Sequence, residues 1–337
     1  MSDRRILVVS PSWIGDMVMS QTLYALLKKH DNEIDVIAPA ASKPLLSRMP
    51  EVNRSMLFDV GHGELRYGYR RQFARTLKRN NYQQAIVLPD SLKSALVPFL
   101  ADIPLRTGFR GEMRYILLND IRLLDEKRLP RMIDRFMALG LPATAPLPVH
   151  DQPVLRVDEH NQTECLRQLR LNTNKAILGL CPGAEFGDAK RWPEAKFAEV
   201  AEAAIDRGMQ VWIFGSALDR SISTNVIEKI PATKQEHCQN LAGRTTLLDA
   251  IDLLSLCGEV VSNDSGLLHV AAAVGCKTVV IYGSTSPVFT PPLTEKAAII
   301  SEKIACSPCF KRTCPLGHKN CLNLLDASRV ISRLQEQ

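Results

Sequence analysis

The turn Asp264-Ser265-Gly266 has the residue types of an anion-binding site. It follows the apolar run 259–262 and precedes a helix of small residues, with His269 one turn further on. Backbone N–H groups at a helix start have no partner within the helix, and the positive end of the helix dipole lies there. With the Ser265 hydroxyl as a further donor, the turn suits a diphosphate. The structural alternative is that Asp264 caps the helix and His269 is a satisfied, half-buried side chain.

A second candidate is the loop Cys181-Pro-Gly-Ala-Glu-Phe-Gly-Asp-Ala-Lys190-Arg191-Trp192-Pro193. Its two glycines allow the backbone to approach a ligand closely. Lys190 and Arg191 place positive charge beside that backbone, which suits a phosphate group. A Lys-Arg pair before a helix is often simply solvated, but the glycine-rich approach favours a functional role here.

Asp16 ends the turn Pro11-Ser-Trp-Ile-Gly15-Asp16 after the first apolar run. An aspartate there can act as a general base that takes a proton from a hydroxyl. An aspartate directly before a helix is also a preferred N-cap, and that alternative stays open on the residues alone. The turn has no G-x-G-x-x-G pattern, which argues against a nicotinamide-dependent dehydrogenase.

Four cysteines and a histidine lie close together near the end of the chain: Cys306, Cys309, Cys314, His318 and Cys321. Their density is typical of a zinc or redox knuckle, but the spacing matches no standard zinc signature. Zinc ligands, unpaired thiols and a disulfide pair all stay open. A structural clip is favoured over a catalytic role.

Composition predicts a soluble two-domain protein, since the 337 residues are 45% apolar and 23% charged. No apolar run reaches the ~18 residues of a membrane span, and the N-terminus lacks signal-peptide features, so we expect a cytoplasmic location with mostly reduced cysteines. Residues 1–140 carry 22 Lys and Arg against 15 Asp and Glu, a net of +7 within the total of +6. This basic half favours an anionic partner, although a solvated basic face is the alternative. Nucleic acid is disfavoured because aromatic and basic residues are not interleaved.

Short apolar runs alternate with helical patterns, which predicts parallel sheets with right-handed crossovers. Predicted strands cover 5–10, 34–38, 85–88, 176–180, 210–214, 259–262 and 278–282. Predicted helices cover 17–29, 41–49, 65–79, 92–99, 131–139, 159–171, 193–206, 219–230, 247–256 and 267–274. The proline-rich stretch 142–153 is a linker candidate. We therefore expect an α/β protein with doubly wound, Rossmann-like domains over 1–150 and 151–322 facing across a cleft, and a closing helix over 323–337.

These segments together resemble the bacterial lipopolysaccharide heptosyltransferases over nearly the whole chain. The motifs that carry the resemblance are Pro11-Ser-Trp-Ile-Gly-Asp-Met17, Pro39, Lys43-Pro-Leu-Leu-Ser-Arg-Met-Pro-Glu-Val-Asn53, Ser94-Ala-Leu-Val-Pro-Phe99, Arg106-Thr-Gly-Phe-Arg-Gly-Glu-Met-Arg-Tyr115, Cys181-Pro-Gly-Ala-Glu-Phe-Gly187, Trp192-Pro193, Asn263-Asp-Ser-Gly-Leu-Leu-His269 and Phe289-Thr-Pro-Pro-Leu293.

The resemblance implies a GT-B fold with an N-terminal acceptor domain and a C-terminal ADP-heptose domain. It implies Asp16 as the base of an inverting displacement, Lys190 at the diphosphate, and Asp264, Ser265, Gly266 and His269 around the ADP-heptose. The sequence contains no Asp-x-Asp pair of the kind that often holds a divalent metal in nucleotide-sugar enzymes, so we expect no metal, with Lys190 and the helix start at Ser265 in its place. We also expect no cofactor, since ADP-heptose is a co-substrate. The alternatives are a type I or III heptosyltransferase and a non-catalytic protein that binds anions or nucleic acid.

The implied acceptor is lipid-linked heptosyl-Kdo2-lipid A, the type II reaction. A monomer that touches the inner face of the inner membrane transiently would suit it. Basic residues of the first half are candidates to meet its phosphates and carboxylates: Arg66, Arg70, Arg71, Arg106, Arg110 and Arg114. One departure from the family concerns Gly215-Ser-Ala-Leu-Asp-Arg220, where Asp219 is the only acidic residue, so the adenosine and ribose contacts are unassigned.

Overall fold

The computed structural model describes residues 4–61 and 63–335. The chain divides between Pro153 and Val154 into two compact units, each containing one six-stranded sheet. Residues 140–158 contain no helix or strand. In the described part of the chain, no helix combines the length and the apolar character needed to cross a membrane.

The first unit contains a parallel sheet with the strand order β3-β2-β1-β4-β5-β6. Its strands are β1 (Arg5–Val9), β2 (Glu33–Ala38), β3 (Arg54–Leu57), β4 (Gln84–Val87), β5 (Leu105–Phe109) and β6 (Asp120–Arg122). Its helices are α1 (Ile14–Lys28), α2 (Tyr67–Leu77), α3 (Leu96–Leu100) and α4 (Met132–Leu139). Leu7 and Val8 of β1 are fully buried, as the uninterrupted apolar run predicts for a strand covered on both faces.

The second unit also contains a parallel six-stranded sheet, with the strand order β12-β11-β10-β7-β8-β9. Its strands are β7 (Ile177–Cys181), β8 (Gln210–Ile213), β9 (Cys238–Asn240), β10 (Glu259–Asn263), β11 (Lys277–Tyr282) and β12 (Ala297–Ser301). Its helices are α5 (Glu159–Leu169), α6 (Glu194–Asp206), α7 (Arg220–Glu228), α8 (Leu247–Leu254), α9 (Gly266–Ala273), α10 (Asn320–Asn323) and α11 (Ala327–Gln335).

Both sheets reverse their strand order at the first strand of the unit, β1 or β7. Ligands of open α/β sheets bind outside the carboxyl ends of the strands at this switch point. The loops that follow β7, β10 and β11 leave neighbouring strands of one sheet. The side chains of these three loops are therefore brought together, and Asp16 lies shortly after the corresponding strand of the first unit, β1.

The structure corrects several predicted elements. The helices predicted over 41–49 and 92–99 are a 3₁₀ helix (Lys43–Arg48) and a 3₁₀ turn (Leu92–Ala95) that leads into α3. These segments are too short to complete several α-helical hydrogen bonds. The closing helix is α11, and residues 336–337 of that prediction lie outside the described residues.

Candidate active site

The turn at residues 263–266 joins β10 to α9 and is fixed to the glycine-rich loop after β7. Asn263 makes both contacts: its Oδ1 accepts from the Trp192 backbone N–H at 3.1 Å, and its Nδ2 donates to the Pro182 carbonyl at 2.7 Å. Asn263 and Asp264 are both buried. The two loops that sequence analysis singled out are therefore held in one place by a buried amide.

Lys190 and Asp264 form a nearly buried ion pair at the centre of this site. The Lys190 Nζ lies 2.6 Å from Asp264 Oδ2 and 3.2 Å from the Asp264 carbonyl oxygen, and the two side chains are 14% and 4% exposed. Thr285 Oγ1 donates to the same Oδ2 at 2.5 Å. An ammonium group has three N–H donors, so one remains for a ligand. Thr285, in the loop after β11, was missed because a single threonine has no sequence signature.

His269 projects from α9 and is buried, at 4% exposure, rather than half-buried as expected from the sequence. Burial lowers the pKa of His269 to about 4, with Asp264 raising it and Lys190 lowering it by smaller amounts. The imidazole is therefore neutral near pH 7, and it adds no charge to the group around Lys190 and Asp264.

Ser265 is the N-cap residue of α9, which begins at Gly266. Its side chain makes no capping hydrogen bond; its Oγ lies 3.3 Å from Ser262 Oγ. The expected cap at Asp264 is wrong, because that carboxylate bonds to Lys190 and Thr285 instead. The first N–H groups of α9 have no partner within the helix, as at any helix start.

The glycines of the loop after β7 are required by close packing. A Cβ atom at Gly183 would lie 2.3 Å from Asp219 Oδ1, and one at Gly187 would lie 2.2 Å from the Arg312 carbonyl oxygen. Asp219 itself accepts from the backbone and hydroxyl of Ser216, so it closes the start of a short 3₁₀ turn. Among the described residues, the buried Nε of Arg191 has no hydrogen-bond partner.

Asp16 lies at the carboxyl end of β1, in the first turn of α1. The helix begins at Ile14 with Trp13 as its N-cap residue, three residues earlier than the pattern predicted. Asp16 is therefore inside the helix, and its interpretation as an N-cap is wrong. The half-buried carboxylate sits at the switch point of the first sheet, which is the position expected of a residue that acts on a ligand.

Three of the six candidate acceptor arginines hold the first unit together instead. Arg114, 1% exposed, donates to the carbonyls of Phe109 and Pro89, each at 2.6 Å. Arg70 is buried and donates to the carbonyls of Leu65 and Lys93. Arg106 donates to the carbonyls of Leu117 and Ile103 and lies over the Phe99 ring.

The remaining three are available to a ligand. Arg71 and Arg110 are exposed, and Arg66 is exposed with one bond to the Asp59 carbonyl.

The four clustered cysteines are free thiols, so the disulfide alternative is not formed. Among the described residues, no group of three or more His, Cys, Asp and Glu side chains is placed to hold a metal ion. Backbone N–H groups, that of Lys319 first, lower the pKa of the Cys314 thiol. Burial raises the pKa of the Cys321 thiol, and the neighbouring thiols of Cys306, Cys309 and Cys314 raise it further, so the four thiols lie near one another.

Comparison with known proteins places these observations in a family. The family model described as glycosyltransferase family 9 (heptosyltransferase) matches residues 70–320. The chain is 48% identical over 305 residues to lipopolysaccharide heptosyltransferase 2 of Escherichia coli (strain K12), covering 88% of this chain and 87% of that protein. It is 46% identical over 306 residues to lipooligosaccharide heptosyltransferase 2 of Haemophilus influenzae, covering 88% of each.

Among solved structures, the E. coli ADP-heptose lps heptosyltransferase II superposes with a TM-score of 0.88 at 43% identity, covering 98% of this chain and 97% of that one. The resemblance seen in the sequence and the expected GT-B fold are both confirmed.

Proposed function

We propose, from the membership of this chain in glycosyltransferase family 9 (heptosyltransferase), that it transfers L-glycero-D-manno-heptose from ADP-heptose. The heptose would be added to the first heptose of the lipopolysaccharide inner core. The identity of 48% across 88% of the chain to a heptosyltransferase 2 carries the proposal. The acceptor would be heptosyl-Kdo2-lipid A.

In this reaction Asp16 takes the proton of the acceptor hydroxyl. The hydroxyl oxygen forms a bond to the anomeric carbon of the heptose while the bond from that carbon to the diphosphate oxygen breaks, so the configuration inverts and ADP leaves. Asp16 lies at the carboxyl end of β1, in the first turn of α1, where open α/β sheets place reactive groups. A positioned carboxylate of this kind contributes roughly 10²–10⁴-fold to a proton-transfer step.

Lys190 and the turn Asp264-Ser265-Gly266 hold the diphosphate in this proposal. ADP gains charge as it leaves, so prearranged donors lower the barrier. The free N–H of Lys190 and the N–H groups at the start of α9 supply such donors. The Lys190 ammonium neutralises the charge of the Asp264 carboxylate, which also accepts a hydrogen bond from Thr285. His269 is buried near this ion pair and stays neutral because burial lowers its pKa to about 4.

The lipid-linked acceptor suits a surface of the first unit. In the loop after β5, Met113, Tyr115 and Ile116 are 83%, 57% and 80% exposed, beside the exposed Arg110. The buried Arg114 in their midst fixes this loop to the sheet. Apolar side chains held outward beside a cation fit the boundary of an anionic membrane, which supports a transient contact with the inner membrane.

The test is transfer from ADP-heptose to Kdo2-lipid A that carries no, one or two heptoses. We expect transfer to the acceptor with one heptose, undiminished by EDTA. Transfer to the acceptor with none would instead make the protein a type I enzyme, and transfer to the acceptor with two a type III enzyme. Salt-dependent binding of nucleic acid without any transfer would contradict the proposal outright, and activity lost in EDTA and restored by magnesium would contradict its metal-free form.

A further inference from the structure

The cysteine-rich segment, residues 306–321, is bound to the loop that follows β11. The backbone N–H groups of Cys309 and Phe310 both donate to the Ser284 carbonyl, at 3.1 and 2.7 Å. Ser307 Oγ donates to the Gly283 carbonyl at 2.7 Å. Ser284 directly precedes Thr285, which holds Asp264, so the segment supports one side of the site.

The same segment is bound to the glycine-rich loop after β7. The Arg312 carbonyl accepts from the Ala189 N–H at 3.1 Å and packs against Gly187, where any Cβ would collide with it. Lys319 Nζ lies 3.6 Å from Asp188 Oδ2. The segment therefore joins the loops that carry Lys190 and Thr285, and its position is fixed by both.

This arrangement brings the Arg312 side chain to the same aromatic ring that Lys190 contacts. The guanidinium carbon of Arg312 lies 5.4 Å from the centroid of the Phe186 ring, and Lys190 Nζ lies 4.9 Å from the same centroid. Two cations thus share one aromatic ring. A guanidinium that lies over a ring keeps its N–H donors available to an anion such as a phosphate group.

The ion pair between Lys190 and Asp264 gives the site no net positive charge. Asp264 cancels the charge of Lys190, because the two form a close ion pair. Arg312 is exposed and, among the described residues, makes no ion pair. A leaving diphosphate would therefore meet uncompensated positive charge at Arg312.

We propose that Arg312 is a donor-binding residue that contacts the diphosphate of the nucleotide sugar beside Lys190. This inference rests on the proposed function. It gives the cysteine-rich segment a role in positioning the donor site, and it explains why a segment outside the sheet is bound to two of its loops.

The test is calorimetric titration with ADP and, separately, with adenosine, which has no phosphate. Arg312→Ala should weaken ADP binding by about tenfold, as expected for a lost hydrogen bond between charged groups, and leave adenosine binding unchanged. Arg312→Lys should recover part of the loss. Lys311→Ala is the matched control: Lys311 is the exposed neighbour in the same segment, and its removal should change neither titration.

Two results would overturn the inference while leaving the proposed function intact. One is an Arg312→Ala protein that binds ADP as tightly as the wild type although Lys190→Ala does not. The other is an equal loss of ADP and adenosine binding in Arg312→Ala, which would indicate a disturbed loop instead of a lost cation. A wild-type protein that binds no ADP and transfers no heptose would overturn both.

Discussion

The ion pair between Lys190 and Asp264 makes a prediction that separates stability from donor binding. Replacing Lys190 by Met removes the ammonium and leaves the Asp264 carboxylate, 4% exposed, without its cation. Breaking a buried pair in this way costs about 3–5 kcal/mol. We expect about 3 kcal/mol, since Lys190 is 14% exposed and Thr285 still donates to the carboxylate.

In the unit formed by residues 154–337, a loss of this size lowers the melting temperature by about 6–12 °C. The double replacement of Lys190 by Met and Asp264 by Asn leaves no unpaired charge, so we expect it to melt closer to the wild type than the single Lys190→Met does. ADP binding should not return with the stability, because the donor to the diphosphate is still missing.

The assay is differential scanning calorimetry of four proteins, with an ADP titration of each: the wild type, Lys190→Met, Asp264→Asn and the double variant. The reasoning would be refuted if the double variant regained wild-type affinity for ADP. Lys190 would then serve only as the counterion of Asp264. A Lys190→Met protein as stable as the wild type would contradict the assigned burial of the pair.

Three further predictions concern other residues. Asp16→Asn should lower turnover by about 10²-fold or more with ADP affinity unchanged, and normal turnover would exclude Asp16 as the base. The pKa of His269 is lowered to about 4, so the wild type loses free energy of unfolding as the pH falls from 6.5 to 4 and the buried imidazole becomes protonated. In urea titrations of His269→Gln, this pH-dependent loss should be smaller than in the wild type by about 3 kcal/mol. Replacing Met113 and Ile116 by Ser should weaken sedimentation with vesicles of anionic phospholipid, whereas Leu218→Ser, at a residue 84% exposed in the second unit, should not; equal effects would contradict the assigned surface.

The alternation of buried strands and helices could be predicted because the central strands are uninterrupted apolar runs. β7 is buried at all five of its positions, and such a short apolar run is typical of a strand covered on both faces. The missed strands lack this signal. β3 and β6 are partly exposed at the edges of the first sheet, and β9 and β12 hold the edges of the second. The interior strand β5 was also missed, because its apolar run is interrupted by Arg106 and Gly108 and begins at the exposed Leu105. An edge strand is covered on fewer sides, so polar residues interrupt it and its pattern is weak.

The sequence predicted that this loop carries positive charge, but it did not predict which arginine is buried and which is exposed. Arg110 and Arg114 are four residues apart in the same basic loop, and the sequence does not distinguish them. The structure shows that Arg114 is buried against backbone carbonyls and that Arg110 is exposed. This difference depends on how the turns after β4 and β5 meet, which is a contact between segments distant along the chain.

An acidic residue in a proposed anion site would repel the ligand, and the contacts of Asp264 explain why one is present. Asp264 does not cap α9, since Ser265 occupies that position. Its carboxylate instead fixes the flexible lysine side chain at 2.6 Å, which reduces the rotational entropy that Lys190 would lose on binding a phosphate. The cost is that the pair has no net charge. Attraction for a diphosphate must then come from the helix start and from cations outside the pair. The loss of Arg312 should therefore lower the affinity for ADP more than is usual for an exposed charged residue.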